Sequence, residues 1–255
     1  MDDSANRQFD ITLDDWKTRF HEHYKSGIRK VVLLGGEPTL RMDVIMLAQE
    51  IFFESIVMSN GQIKIPDEFQ GSIVISLDGL QETNDAIRGK AVFERAIKNY
   101  SGDPRVSLNV TLMESNYLEL EGIVKLAVEH SFRYVTNNLV MLGGANTISV
   151  GADIRSKIVK EMSRVQKIYP QHFFANERIL DWFREPGHSD NCIWHTNALH
   201  LNINGERMRC FTVPDCTNCG CFAGAAFSCM DMRYVLCHPF KSFMLLNAYR
   251  ALAES

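Results

Sequence analysis

Val31-Val32-Leu33-Leu34-Gly35-Gly36-Glu37-Pro38 is the stretch on which the reading of this 255-residue chain turns. Ile28 to Leu34 is a short apolar run of strand type, and the two glycines stop it. Glycines at that point let the backbone approach a ligand closely and expose its amide and carbonyl groups. A carboxylate at the C-terminal edge of a parallel strand is where α/β and barrel proteins place function. On spacing alone, Glu37 is either such a group or the solvated end of a tight turn.

The same texture extends outward in both directions. Residues 12–26 predict an amphipathic helix with Leu13, Trp16, Phe20 and Tyr24 on one face, Thr12 as its cap and Gly27 at its end. A second helix fits Met42 to Phe53, with Val44, Ile45, Leu47, Ala48 and Ile51 inward. Strand patterns follow at Ser55–Met58, Ser72–Leu77, Val106–Leu112 and Tyr134–Leu139, and helical ones at Val92–Tyr100, Tyr117–His130, 154–168 and 173–184. Strands alternating with helices predict a parallel sheet joined by βαβ connections. Runs such as VVLL and IVISL suit strands buried on both faces.

Composition narrows the class. With 27 basic and 31 acidic residues, 45% hydrophobic and 23% charged, the chain suits one large domain, or a domain plus a small module. The absence of a Lys/Arg block argues against a nucleic-acid partner or a polybasic membrane anchor. No apolar run approaches the roughly 18 residues of a membrane span, and Met1-Asp2-Asp3 does not open a signal peptide, so the expected location is cytoplasmic.

Two further strands end as the first does, in small or polar residues: Ser59-Asn60-Gly61 and Ser76-Leu77-Asp78-Gly79. Three consecutive strands presenting such groups at one edge read together as the rim of a pocket. Asn84-Asp85-Ala86-Ile87-Arg88-Gly89 adds a guanidinium, read either as a partner for a ligand carboxylate or as a surface ion pair.

Helix, strand, GGEP, helix, strand, SNG, strand, SLDG and NDAIRGK, in that order over roughly residues 12–145, resembles the radical S-adenosylmethionine (SAM) superfamily. Val110 to Met113 and Asn116 continue the likeness. The resemblance implies an α/β fold: a partial (β/α)6 TIM-like barrel over residues 1–188, here lacking its first strand. It implies that SAM is held by Gly35, Gly36 and Glu37, by Asn60, and by Ser76, Asp78 and Arg88 at its ribose or carboxylate. The family's CxxxCxxC loop, which holds the SAM-cleaving 4Fe–4S cluster, precedes the first of these helices; only eleven residues stand there, none of them cysteine. The expectation is therefore a record that begins downstream of the true start. The alternative is a non-catalytic SAM- or metal-binding relative that has lost the cluster.

All seven cysteines lie beyond residue 190, and an odd number without a secretion signal does not read as a disulfide framework. Cys192, Cys210, Cys216 and Cys219 suit a tetrahedral sulfur site for zinc or iron–sulfur, with Cys221 able to replace any of them. Asn204-Gly205 predicts a hairpin between Leu199–Ile203 and Glu206–Phe211 that returns Cys210 toward Cys192. The spacing Cys192-x12-Gly205-x4-Cys210 is similar to the auxiliary-cluster extension (SPASM or "twitch") of radical SAM enzymes. That implies a small cysteine-rich domain over 189–255 with at most one 4Fe–4S cluster, and a C-terminal helix from about Lys241 to Leu252. An enzyme of this kind implies an external electron donor and a substrate, peptide or small molecule, that the sequence does not identify.

Overall fold

The structure, a computed structural model, describes residues 11–139, 151–185, 187, 192, 198–201, 207–208, 210 and 219–228. Five strands, β1 (Lys30–Leu33), β2 (Glu54–Ser59), β3 (Ser72–Ser76), β4 (Val106–Leu112) and β5 (Val135–Leu139), lie side by side in sequence order, each parallel to the next. Adding every strand on the same side of the last, through crossovers of one hand, puts the helices on one face and curls the sheet. The result is the expected α/β architecture, a curled half-barrel.

Register separates the two faces. Val57 pairs with Ile73, Ile73 with Val106, Ile75 with Leu108 and Leu108 with Val135, and all of these are buried. They meet Ile45 of α2 (Met42–Ile51), Ala96 and Tyr100 of α4 (Val92–Tyr100) and Ile123 and Val124 of α5 (Leu120–Glu129) in one core. The alternate residues Ile56, Met58, Val74 and Ser76 stay partly open on the concave face. The expectation of strands buried on both faces therefore holds only toward β4, because half a barrel leaves its interior uncovered.

Local chemistry sets the helix ends. Thr12 and Asp15 form a reciprocal capping box at the start of α1 (Leu13–Lys25). Phe20 of α1 packs with Val44, Leu47, Ala48 and Phe52 in a second cluster that joins α1 to α2. The predicted helix over 173–184 starts later, as α7 (Glu177–Arg184), because the Asn176 side chain accepts from the Arg178 and Ile179 amides and caps it there. Phe173 instead bridges Val135 in parallel at the outer edge of β5.

The β2–β3 crossover contains no helix. Residues 60–71 bury Ile65 and Phe69, and other segments serve their backbone. Asn99 Nδ2 donates to the Gly61 and Gln62 carbonyls; the Tyr100 hydroxyl donates to the Ile63 carbonyl and accepts from the Ile65 amide. Arg105, paired with Asp103, donates to the Pro66 and Phe69 carbonyls. A helix would satisfy these groups internally; here side chains do so.

Beyond the barrel, α3 (Gln81–Arg88) links β3 to α4, and α6 (Ala152–Ile168) packs on α7. The predicted hairpin is present as β6 (His200–Leu201) antiparallel to β7 (Arg207–Met208), while its Asn204-Gly205 turn lies outside the described residues. Phe222–Ser228 forms a short helix, α8, that sequence periodicity did not announce; Ala225 and Ala226 join the main core. The expected boundary at 188, Cys216 and the C-terminal helix also lie outside the described residues.

Candidate functional site

Glu37 caps a 3-10 turn, Pro38–Arg41, that follows β1 directly. Its Oε1 accepts from the Thr39 amide at 3.1 Å, the Thr39 hydroxyl at 2.6 Å and the Ser59 hydroxyl at 2.9 Å, and its Oε2 from the Asn60 amide at 2.8 Å. The carboxylate is thus a tie between the ends of β1 and β2 rather than a solvated turn residue. Ser59, buried at the end of β2, is a partner that no spacing rule singles out.

The ends of β3 and β4 are laced in the same manner. Asp78 is buried; its Oδ1 accepts from the Thr111 amide at 2.7 Å, and its Oδ2 pairs with Arg88 Nη2 at 2.7 Å. Asn116 Nδ2 donates to the Asp78 and Thr111 carbonyls, and Glu119 accepts from the Leu80 amide and the Thr83 hydroxyl. Asp78 is the buried member of this half-buried pair, and the Thr111 amide helps offset its desolvation. Arg88 is therefore neither a lone ligand group nor a surface pair. Its Nη2 is committed to Asp78, whereas its Nε is buried without a hydrogen-bond partner.

Between these ends lies a cavity of about 450 Å³ lined by Gly36, Asn60, Asp78, Ile87, Arg88 and Val92. This falls within the roughly 300–1,000 Å³ of small-molecule pockets. Gly36, Asn60, Asp78 and Arg88, singled out on separate stretches of sequence, share it. Glu37 ties two of its contributing strand ends together, and Gly35 is exposed beside Gly36. Ser76 is on the concave face in register with Asn109 and is not among the lining residues. Ile87 and Val92 supply apolar lining that the motif reading missed. A Cβ built on Gly36 meets no atom within 4 Å, so a ligand can approach its backbone. With the Arg88 guanidinium in the same wall, this open cradle fits a polar ligand.

The described cysteines gather at the C-terminal end of β5. The Leu139 amide donates to the Gly220 carbonyl and the Phe222 amide to Asn138 Oδ1, and a Cβ at Gly220 would stand 2.4 Å from that of Leu139. The Cys221 amide lies 3.4 Å from Cys219 Sγ and the Gly224 amide 3.4 Å from Cys221 Sγ; Cys192 Sγ is 3.4 Å from where a Cβ on Gly224 would stand. Burial above all, with the nearby Cys219 and Cys210 adding to it, pushes the Cys221 thiol up to about 12. Arg155, itself buried, donates to the Phe183 and Cys219 carbonyls. Among the described residues no group of three or more Cys, His, Asp or Glu is arranged to hold a metal ion. No described helix is long and apolar enough to cross a membrane.

No protein-family model matches the sequence. It is similar to the Fe-coproporphyrin III synthase of Methanosarcina barkeri, 23% identical over 192 residues, covering 68% of this chain and 48% of that protein. It also resembles the probable GTP 3',8-cyclase of Sulfurisphaera tokodaii, 24% identical over 214 residues (74% of this chain, 68% of that one). The sporulation killing factor maturation protein SkfB of Bacillus subtilis is 24% identical over 220 residues (79% and 53%). The chain thus spans about half to two thirds of the curated relatives it matches. Among solved structures, Streptococcus suis SuiB bound to S-adenosylmethionine superposes with a TM-score of 0.52 at 16% identity, over 78% of this chain and 49% of that one. Native anSMEcpe with bound AdoMet and Cp18Cys peptide gives 0.52 at 14% identity, over 86% and 71%. The order of strand-end motifs, the half-barrel and these relatives agree: the chain has the half-barrel fold of these SAM-bound structures and is similar to radical SAM proteins.

Proposed function

We propose that this chain binds S-adenosylmethionine in the cavity at the strand ends and takes part in the radical-based modification of a substrate. The observation that carries the reading is the convergence of Gly36, Asn60, Asp78 and Arg88 on one cavity from three successive strand ends. Bound SAM, given an electron by an iron–sulfur cluster, would supply the chemistry of hydrogen-atom abstraction from a substrate. The residues of this chain bind and orient the ligand. Gly35 and Gly36 offer backbone groups, and Glu37 a carboxylate for the ligand's ammonium. Ser76, Asp78 and Arg88 serve the ribose or carboxylate, and Asn60 the adjoining polar edge. Ile87 and Val92 keep water from the ligand's apolar parts.

In this reading residues 189–255 form an auxiliary module. Cys192, Cys210, Cys216 and Cys219, with Cys221 as a substitute, hold one 4Fe–4S cluster, zinc being the other occupant that a thiolate set accepts. A peptide is the favoured substrate, supported by SkfB being a maturation protein and by the peptide bound to anSMEcpe. An external donor supplies the electron. Seven cysteines, whose odd number does not read as a disulfide framework, suit the reducing cytoplasm.

Calorimetric titration of the anaerobically purified chain with SAM, with iron and zinc measured on the same sample, tests this. Arg88→Ala removes a charged donor worth about 1.5–3 kcal/mol, a loss of roughly ten- to a hundredfold in affinity. The Gly36→Ala methyl meets no protein atom within 4 Å, so that variant should keep its melting temperature while losing SAM affinity. Wild-type affinity in both variants refutes the assignment.

A further inference from the structure

Half of the cavity lining, Ile87, Arg88 and Val92, flanks the single turn that joins α3 to α4. That turn is conformationally uphill. Gly89 (φ 114°) and Ala91 (φ 62°) both take positive φ, and Ala91, unlike glycine, carries a Cβ that disfavours it. Ala91 also stands at the N-cap position of α4 without a side chain able to cap. The missing acceptor comes from the preceding helix: Asp85 Oδ2 accepts from the Ala91 amide at 2.8 Å and Oδ1 from the Phe93 amide at 3.0 Å.

We propose that Asp85 is a positioning residue for the ligand cavity: it caps α4 from across the turn, holds Ala91 left-handed, and so fixes Arg88, Ile87 and Val92 at the cavity wall without touching the ligand. The inference rests on the cavity being the SAM site. Two charge-assisted bonds outweigh one unfavourable backbone conformation, so the turn keeps one shape while the carboxylate is present. The Phe93 amide above all, and then the Ala91 amide, hold the Asp85 carboxyl below the usual carboxylate range.

The test compares wild type, Asp85→Ala, Ala91→Gly and the double variant by calorimetric titration with SAM, thermal melting, and hydrogen exchange of the 88–93 segment. Asp85→Ala should speed exchange at the Ala91 and Phe93 amides and weaken SAM binding roughly ten- to a hundredfold. Ala91→Gly in that background should restore part of the affinity, since glycine takes the left-handed conformation without a Cβ penalty. A cap with no positioning role would lower the melting temperature and leave SAM affinity unchanged, and that result overturns the proposal. So does lost affinity that Ala91→Gly leaves unrecovered, or unchanged exchange in Asp85→Ala. Failure of the wild type to bind SAM is a separate outcome: it overturns the site reading and this inference with it.

Discussion

Replacing Glu37 by glutamine tests whether one carboxylate fastens the first two strand ends together. The change is isosteric, so it alters hydrogen bonding and charge but not volume. Oε1 receives three donors and Oε2 one. The glutamine oxygen does best in the Oε1 place, which sets its NH2 group against the Asn60 amide and loses that bond. One bond to a charged acceptor is worth about 2 kcal/mol. The other three pass from an ionised to a neutral acceptor; at about 0.3–0.5 kcal/mol each in this partly exposed setting, they add about 1 kcal/mol. The total is about 3 kcal/mol, a large share of the roughly 5–15 kcal/mol that stabilises a typical domain. Urea unfolding followed by circular dichroism should show the midpoint fall by about 1 M at a slope of 2–3 kcal/mol/M, with the slope unchanged. A loss below about 1 kcal/mol would refute the reasoning. Glu37 would then be a surface residue whose bonds water replaces at no cost.

Other expectations follow from the same geometry. Gly61 has φ 77°, and a Cβ there would lie 2.7 Å from that of Ala96 and 3.2 Å from its Cα, so Gly61→Ala must push β2 away from α4. Left-handed strain and overpacking together should cost about 2–4 kcal/mol, measured by denaturant unfolding, and a change under about 1 kcal/mol counts against that close approach. Burial above all pushes the Tyr100 hydroxyl up to about 12. Because the folded value lies above the ordinary 10, the stability that its protonated form confers is complete below pH 10. It is lost as the pH rises through about 12. Difference absorbance between wild type and Tyr100→Phe should show this phenolate appearing only near that upper limit; ionisation at the ordinary value would mean that the hydroxyl is open to water.

Much of the barrel was legible because its strands and helices are written in periodicity and punctuation. The Val106–Leu112 strand coincides with its apolar run, and Thr12 caps α1 as read. The convergence of GGEP, SNG and SLDG followed from their common position after strands of one parallel sheet. Pairing was not legible. Asp78 reads as a ligand group and Arg88 as either a ligand group or a surface ion pair, and nothing in a ten-residue separation names Asp78 as the partner that Arg88 meets across α3. The start of α7 was placed early because Phe173 and Phe174 fit a helical face as well as they fit an extended edge; the Asn176 cap decides between them. The helix at Phe222–Ser228 escapes the sequence reading because FAGAAFS carries no clear period and includes a glycine, a weak helix former.

The helix-free crossover between β2 and β3 bears on the order in which this protein folds. A helical crossover can begin to form from its own residues. Residues 60–71 instead depend on Asn99, Tyr100 and Arg105, which stand some 35 to 39 residues downstream of their partners. Until α4 and the start of β4 arrive, the segment's carbonyls bond only to water, and the loop-closure entropy is unrepaid. The expected nucleus therefore spans β3, α4 and β4, with β1 and β2 added afterward. This makes the cavity edge, where Glu37 meets Asn60, a late product of folding. Pulse-labelled hydrogen exchange should therefore find the Ile65 amide protected no earlier than the amides of β4.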